Sequence, residues 1–242
     1  MRLDKFLSVT GAATRRDGTS CIKKGLVCVD GVCVRRPETQ IDPERQQVLL
    51  CGREIVYRKY VYLMMNKPAG IVSATDAPGE RTVLDLLPDE MRRLSLFPCG
   101  RLDKNTTGFV LLTNDGLSAH RLLSPRHHVE KAYHFTCKFP LREEECRLLE
   151  NGLTLDDGYL TKPCRISLTG EREGVIVLTE GKYHQIKRML EAIHNQIRTL
   201  KRISFASIPL DTALALGEWR HLSAQELEIL MIAAGDADFK AE

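Results

Sequence analysis

The sequence predicts an α+β protein in two parts, a small basic N-terminal domain followed by a larger one. Within the first sixty residues, two short amphipathic helices precede strand-length runs arranged around an Asp-Gly turn. The rest of the chain holds many apolar runs of strand length with helices interspersed, and no regular βαβ alternation. Between the two parts, residues 53–59 are polar enough to act as a linker. The 242 residues, 43% apolar and 28% charged, suffice for one medium and one small core.

The first helix is predicted from Leu3, Phe6 and Leu7, which fall at i, i+3 and i+4, with Arg2 and Lys5 on the other side and Gly11 to end it. A second runs from Arg15 to Lys24, weakened by Gly18 by about 1 kcal/mol relative to Ala. Leu26–Val34 then reads as a hairpin, because Asp30 and Gly31 both tolerate the positive φ of a tight turn. A further strand covers Gln47–Cys51.

The larger part opens with a strand at Tyr60–Met65, broken by Asn66-Lys67-Pro68-Ala69-Gly70, and Thr82–Leu87 is a short helical stretch. Gly100–Gly116 places Asp103 between Arg101 and Lys104 on a loop that feeds directly into the apolar run Phe109–Thr113. Catalytic groups are commonly set on loops held by rigid strands, although Arg-Leu-Asp taken alone reads as a solvated surface turn. Leu117–Leu123 is predicted as a helix with Leu117, Leu122 and Leu123 inward, and Tyr133–Cys137 as a strand. His127 and His128 have no third partner at a usual metal-ligand spacing, so they are assigned to RNA contact or turn capping. Leu141–Asn151 is an amphipathic helix, Leu160–Cys164 starts a strand, and Val175–Leu178 is another strand. Ile186, Met189, Leu190 and Ile193 make a clean helical stripe. Phe205–Leu210 and Leu216–Leu222 are the last strand candidates, and Ser223 caps a closing acidic helix.

Charge is distributed unevenly. Residues 1–58 carry a net +4 and residues 225–242 a net −4 within an overall +3. Between Lys182 and Arg202 there are six Lys/Arg and one acid, Glu191, which reads as a basic patch for an anionic partner such as nucleic acid. The eight cysteines contain no C-x-x-C pair and are expected to be reduced. The N-terminus lacks an apolar signal region, and no run approaches the ~20 apolar residues of a membrane span. The expectation is a soluble cytoplasmic protein, monomeric, with no membrane partner.

RLDKFL and GLVCVDGVCV resemble the S4 RNA-binding module, over residues 1–57. The resemblance implies phosphate contacts from Arg2, Lys5, Arg15, Arg16, Lys23 and Lys24, which give affinity and salt dependence more than sequence reading. GRLDKNTTG, SPRHHVEKAY, LTKP, EGKYHQIKRM and LGEWRHL, in that order, resemble the RsuA-type pseudouridine synthases. Within that family the chain is most similar to the subgroup that modifies 16S rRNA at the uridine conventionally numbered 516. The resemblance implies a catalytic domain over 62–242 after a linker at 58–61, with a mixed, mainly antiparallel sheet and flanking helices around a central cleft. Ala206 stands where the family often has glycine, which narrows a backbone approach.

The implied reaction breaks the N1–C1′ bond of uridine, turns the base and joins C5 to C1′. It changes no redox state and transfers no phosphoryl group, so no cofactor or metal is expected, in line with a sequence that shows no P-loop or dinucleotide turn. It does require an ionised carboxylate. By resemblance that group is Asp103, with Lys187 as its cationic partner, since an unpaired buried carboxylate takes up a proton. Tyr133 is implied to stack on the target base and to help move the C5 proton. Arg101, Lys104, Lys182 and Arg188 are assigned to positioning RNA. The implied partner is 16S rRNA, free or in an assembling small-subunit particle. Alternatives are a synthase acting on a large-subunit uridine and a non-catalytic RNA-binding assembly factor.

Overall fold

The structure is a computed structural model that describes residues 1–236. The chain forms two compact units, one of Met1–Val61 with Leu84–Phe97 and one of Tyr62–Val83 with the chain from Pro98 onward.

In the first unit, α1 (Leu3–Val9) buries Leu3, Phe6 and Leu7 as their spacing predicts, and Asp4 is buried with them in an ion pair to Arg2 at 2.8 Å. The Thr14 hydroxyl accepts the Asp17 amide and so caps α2 (Arg15–Lys23). Gly18, which costs that helix propensity, is explained by packing. A Cβ there would stand 3.3 Å from Leu7, so a larger residue would push α2 off α1. Strands β1 (Val27–Val29), β2 (Val32–Val34), β3 (Val48–Leu50) and β4 (Arg53–Glu54) form an antiparallel sheet in the order β2-β1-β3-β4. Asp30 and Gly31 take the positive φ values expected of the hairpin turn.

Three features of this unit differ from the sequence expectation. Residues 53–59 are not a free linker, since β4 pairs with β3, and Ile55 and Tyr57 pack on the core of Leu3, Phe6, Leu7, Ile22 and Val27. Cys28 and Cys33 are register partners across the hairpin and bring their sulfurs together, a proximity that the expectation of separate reduced thiols did not include. The pair is placed by symmetry about the Asp-Gly turn, a signal that a search for C-x-x-C spacing passes over. Finally, Leu84–Phe97 belongs to this unit. It holds most of a 3-10 turn (Val83–Leu86) and the short α3 (Asp89–Arg92), and Arg93 donates to the Gly11 carbonyl at 3.2 Å.

In the second unit the large sheet comprises β5 (Tyr62–Lys67), β7 (Thr107–Thr113), β8 (Lys131–Cys137), β9 (Arg165–Gly170), β10 (Glu173–Leu178), β11 (Ile197–Phe205) and β13 (Trp219–His221). Their order is β13-β5-β7-β11-β8-β10-β9. Short β6 (Phe97–Pro98) leads back into this unit, and β12 (Ile208–Pro209) pairs with β11. The β7–β11 pairing is parallel and its neighbours are antiparallel, which gives the mixed, mainly antiparallel sheet. Every residue of β5, and all of β7 after Thr107, is buried, so these strands are the core. Flanking the sheet are α4 (Gly116–Leu123), α5 (Glu143–Asn151), α6 (Gln185–Ala192) and α7 (Ala224–Ala233), the last capped by Ser223.

Two predicted elements change. In α4 only Leu122 of the three leucines is inward, while Leu117 and Leu123 are exposed, because Asp115 caps the helix and starts it at Gly116. Leu160–Cys164 makes only an isolated bridge from Leu160 to Thr154, and the strand begins at Arg165. Among the described residues, no helix is long and apolar enough to cross a membrane.

Candidate active site

Asp103 lies on the loop that enters β7, and three neighbours hold that loop. The Thr106 amide donates to the Asp103 carbonyl at 3.0 Å, and the Leu102 amide donates to the buried Ser73 hydroxyl at 3.2 Å. Beneath it, Lys67 at the end of β5 is fully buried, and its Nζ donates to the carbonyls of Pro68, Lys104 and Thr106 at 2.9–3.0 Å. A buried ammonium with three backbone acceptors pins the Asp103 turn from below. Burial pushes Lys67 down to about 8, with the charge of Asp103 acting in the opposite direction. Gly108 explains the end of the Thr-Thr-Gly stretch. Its φ is +97°, and a Cβ there would run into the Arg202 backbone of β11, the parallel partner strand.

The two carboxylate oxygens of Asp103 have different neighbours. Lys187, on the first turn of α6, brings Nζ to 2.5 Å from Oδ2. His184, the residue before α6, places Nε2 3.5 Å from Oδ1. The side chains of Asp103 and Lys187 are 25% and 29% exposed, so the pair is half-buried and open to a ligand on one side. The helix is turned toward Asp103 because Ile186, Met189 and Leu190 are buried on its other face. Glu180 fixes the entry to α6. Its Oε2 accepts the Tyr159 hydroxyl at 2.6 Å, and its Oε1 accepts the Gln185 side chain and the Lys162 amide at 2.5 and 3.0 Å.

Tyr133, inward on β8, lines the same cleft, together with Arg101, Leu102, Thr106, Lys182 and Gln185. Lys131 lies on the same face of β8 as Tyr133, and Arg202 is paired opposite Tyr133 on β11. Both are buried, and burial first, then the nearby Arg202 charge, pushes Lys131 down to about 8. Arg202 is thus removed from the solvated basic patch that sequence assigned it to, with Nε donating to the Phe109 carbonyl at 2.6 Å.

The other candidate residues are scattered. Arg101 and Lys182 are exposed at the cleft, Lys182 lying 4.5 Å over the Tyr159 ring. Lys104 is exposed and ion-paired to Glu80 at 2.7 Å. Arg188 is drawn away from solvent, since its guanidinium is held by Asp156 and Asp157 and its side chain is only 14% exposed. Arg2 is exposed but engaged with Asp4, while Lys5, Arg15, Arg16, Lys23 and Lys24 are exposed on α1 and α2 or just beyond. His127 and His128 are exposed, and among the described residues no three His, Cys, Asp or Glu side chains come together to hold a metal. Sequence reasoning missed Lys67, His184 and Glu180. The signal for Lys67 was a charge ending an otherwise apolar strand.

Comparison with known proteins gives this geometry a context. Residues 61–192 match the RNA pseudouridylate synthase family, and residues 1–46 match the S4 domain. The chain is 44% identical to an uncharacterized RNA pseudouridine synthase of Bacillus subtilis, over 95% of this chain and 98% of that protein. It is 38% identical to ribosomal small subunit pseudouridine synthase A of Escherichia coli, over 94% and 98% of the two chains. A crystal structure of a pseudouridylate synthase aligns with a TM-score of 0.68 at 33% identity, covering 95% of this chain and 99% of that one. A carboxylate ion-paired in a cleft and seated in a chain that matches these proteins from end to end places this protein in the RsuA-type family of RNA pseudouridine synthases, isomerases with an N-terminal S4 domain.

Proposed function

We propose that this chain converts a specific uridine of 16S ribosomal RNA, the one conventionally numbered 516, into pseudouridine, with Asp103 as the nucleophile. The observation that carries the reading is the Asp103 carboxylate at the cleft, bonded to Lys187 at 2.5 Å with Tyr133 lining the same cavity. The choice of small-subunit RNA is supported by relatives of that name in Escherichia coli, Yersinia pestis and Vibrio cholerae, 37–38% identical over 94% of this chain.

In this mechanism Asp103 attacks C1′ of the uridine, or stabilises the cationic sugar as N1–C1′ breaks, and Lys187 holds the carboxylate in place through its ion pair. The freed uracil turns so that C5 meets C1′, its ring held against Tyr133. C5–C1′ forms as any bond between C1′ and Asp103 breaks and frees the carboxylate, the C5 proton leaves with help from the Tyr133 hydroxyl, and N1 ends protonated. Stacking worth about 1–3 kcal/mol helps offset the few kcal/mol needed to pull the uridine from its stack. Ribosomal RNA as substrate supports a cytoplasmic enzyme that acts on free 16S rRNA or on an assembling small subunit.

Tritium release from C5-labelled uridine in 16S rRNA tests the reaction, and mapping modified uridines in a deletion strain tests the target. Loss of pseudouridine at 516 alone is the expected result. Loss at a large-subunit position would reassign the substrate. Intact modification with defective ribosome assembly would make the protein a binding factor.

A further inference from the structure

One pair of rings at the cleft takes no part in the mechanism. Tyr183 is 75% exposed, although the residues on both sides of it are engaged. Lys182 lies over Tyr159, and His184 reaches Asp103. The rings of Tyr183 and His184 stack with centroids 3.8 Å apart and planes 18° apart.

Adjacent side chains on extended backbone point to opposite sides, so a stack of consecutive rings requires a local turn. His184 supplies it with a φ of +50°, a left-handed conformation uncommon for a non-glycine residue. The turn is tied down on both sides. The Tyr183 carbonyl accepts from Arg188, itself clamped by Asp157 at 2.8 Å, and Gln185 is bonded to Glu180. The result is a fixed aromatic shelf, covered on one face by His184 and exposed beside a cleft that Arg101 and Lys182 flank with positive charge.

We propose that the Tyr183–His184 stack is a binding platform for a nucleobase of the substrate RNA, the base next to the uridine that enters the cleft. The inference rests on the RNA-modifying function proposed above and adds a subsite to it. A uridine leaving its stack uncovers a face of each neighbouring base. An exposed ring beside the cleft gives one of those faces a new partner, and every base can use it because every base has a π-face. The same His184 ring stacks on Tyr183 and meets Asp103 through Nε2, so a base seated on the shelf is held at a fixed distance from the carboxylate and sets the register of the strand that feeds it.

The test uses the full-length chain with Tyr183→Leu and Tyr183→Phe. The position modified in a 16S rRNA transcript is mapped first. Single-turnover rates are then measured on oligonucleotides spanning that position, either intact or with an abasic ribose immediately 5′ or 3′ of the target. On intact RNA, Tyr183→Leu is expected to raise KM about tenfold and Tyr183→Phe to stay within about twofold of wild type. The salt dependence is expected to stay unchanged, because neither substitution removes a positive charge from the RNA-binding face. The Tyr183→Leu penalty should vanish on one of the two abasic RNAs. An unchanged KM, or a penalty that persists on both abasic RNAs, overturns the platform. If the wild-type chain modifies no ribosomal uridine, the proposed function fails separately. The platform is then judged by the Kd for a single-stranded oligouridine, which Tyr183→Leu must still weaken about tenfold.

Discussion

Asp103 meets a cation on one oxygen and a histidine on the other, and its loop is held from below by Lys67. Asp103, Lys187 and Lys67 each carry a prediction. Asp103→Asn should keep its fold and lose tritium release by about 10⁴-fold or more, as for removal of a nucleophile. Normal release by the folded variant would remove Asp103 from the mechanism. Lys187→Met should lower kcat by about 10²–10³-fold, the usual cost of removing one electrostatic partner of a reacting group. Lys67 gives a pH signature. Its folded value is about 8 against an ordinary 10.5, so between those two pH values the unfolded chain holds a proton that the folded chain has released. Its contribution to stability therefore rises with pH through that window, while below about 8 the cost of burying the charge is felt in full. Urea melts at pH 7 and 9.5 should show wild type gaining on Lys67→Met at the higher pH. A constant difference between the two would refute this.

Elements differ in how openly the sequence announced them. The stripe of Ile186, Met189 and Leu190 made α6 legible, because one face of that helix is apolar and buried. Strand β11 was hidden. Arg198, Lys201 and Arg202 made Ile197–Phe205 look like solvated charge, yet it is a central strand paired with β7 on one side and β8 on the other. Backbone pairing on both edges decides its conformation, and Arg202 is carried inside with it. At the end of β11, Ala206 and Ser207 form the turn into β12 with φ values of +52° and +63°. That conformation is costly for alanine. Ala206→Gly is expected to stabilise the protein by about 0.5–1 kcal/mol, or about 1–4 °C in melting temperature. A lower melting temperature would mean that removing the buried methyl outweighs the relieved backbone.

At the scale of the whole molecule, the division into units changes how the N-terminal region should be tested. Deleting residues 1–57 would strip Leu84–Phe97, which carries the buried Leu87 and Leu96, of the unit it belongs to. Neutralising the exposed cations in the full chain leaves that packing in place. A variant carrying Arg15→Gln, Arg16→Gln, Lys23→Gln and Lys24→Gln should bind rRNA more weakly. The slope of log K against log salt should flatten by about 0.7–0.9 for each phosphate that the variant no longer neutralises. An unchanged slope would take those helices out of the RNA interface. The kcat at saturating RNA should stay at the wild-type value, since none of the four residues lies in the cleft.

By itself the sequence determined what depends on neighbours a few residues apart. The spacing of Leu3, Phe6 and Leu7 set α1, Asp30-Gly31 set the hairpin, and Gly100–Gly116 set a carboxylate on a loop before a buried strand. These follow from backbone sterics and periodic burial, which act over short range. Only the tertiary structure decided which distant groups meet. Lys187 lies 84 residues from Asp103 and Thr106 lies 39 from Lys67, and no spacing encodes either separation. They converge because the order β5-β7-β11-β8 sets the end of β5, the loop entering β7 and the Tyr133 face of β8 around one cleft. Strand order is chosen by how the whole set of apolar faces is buried, so the active site exists only once that choice has been made.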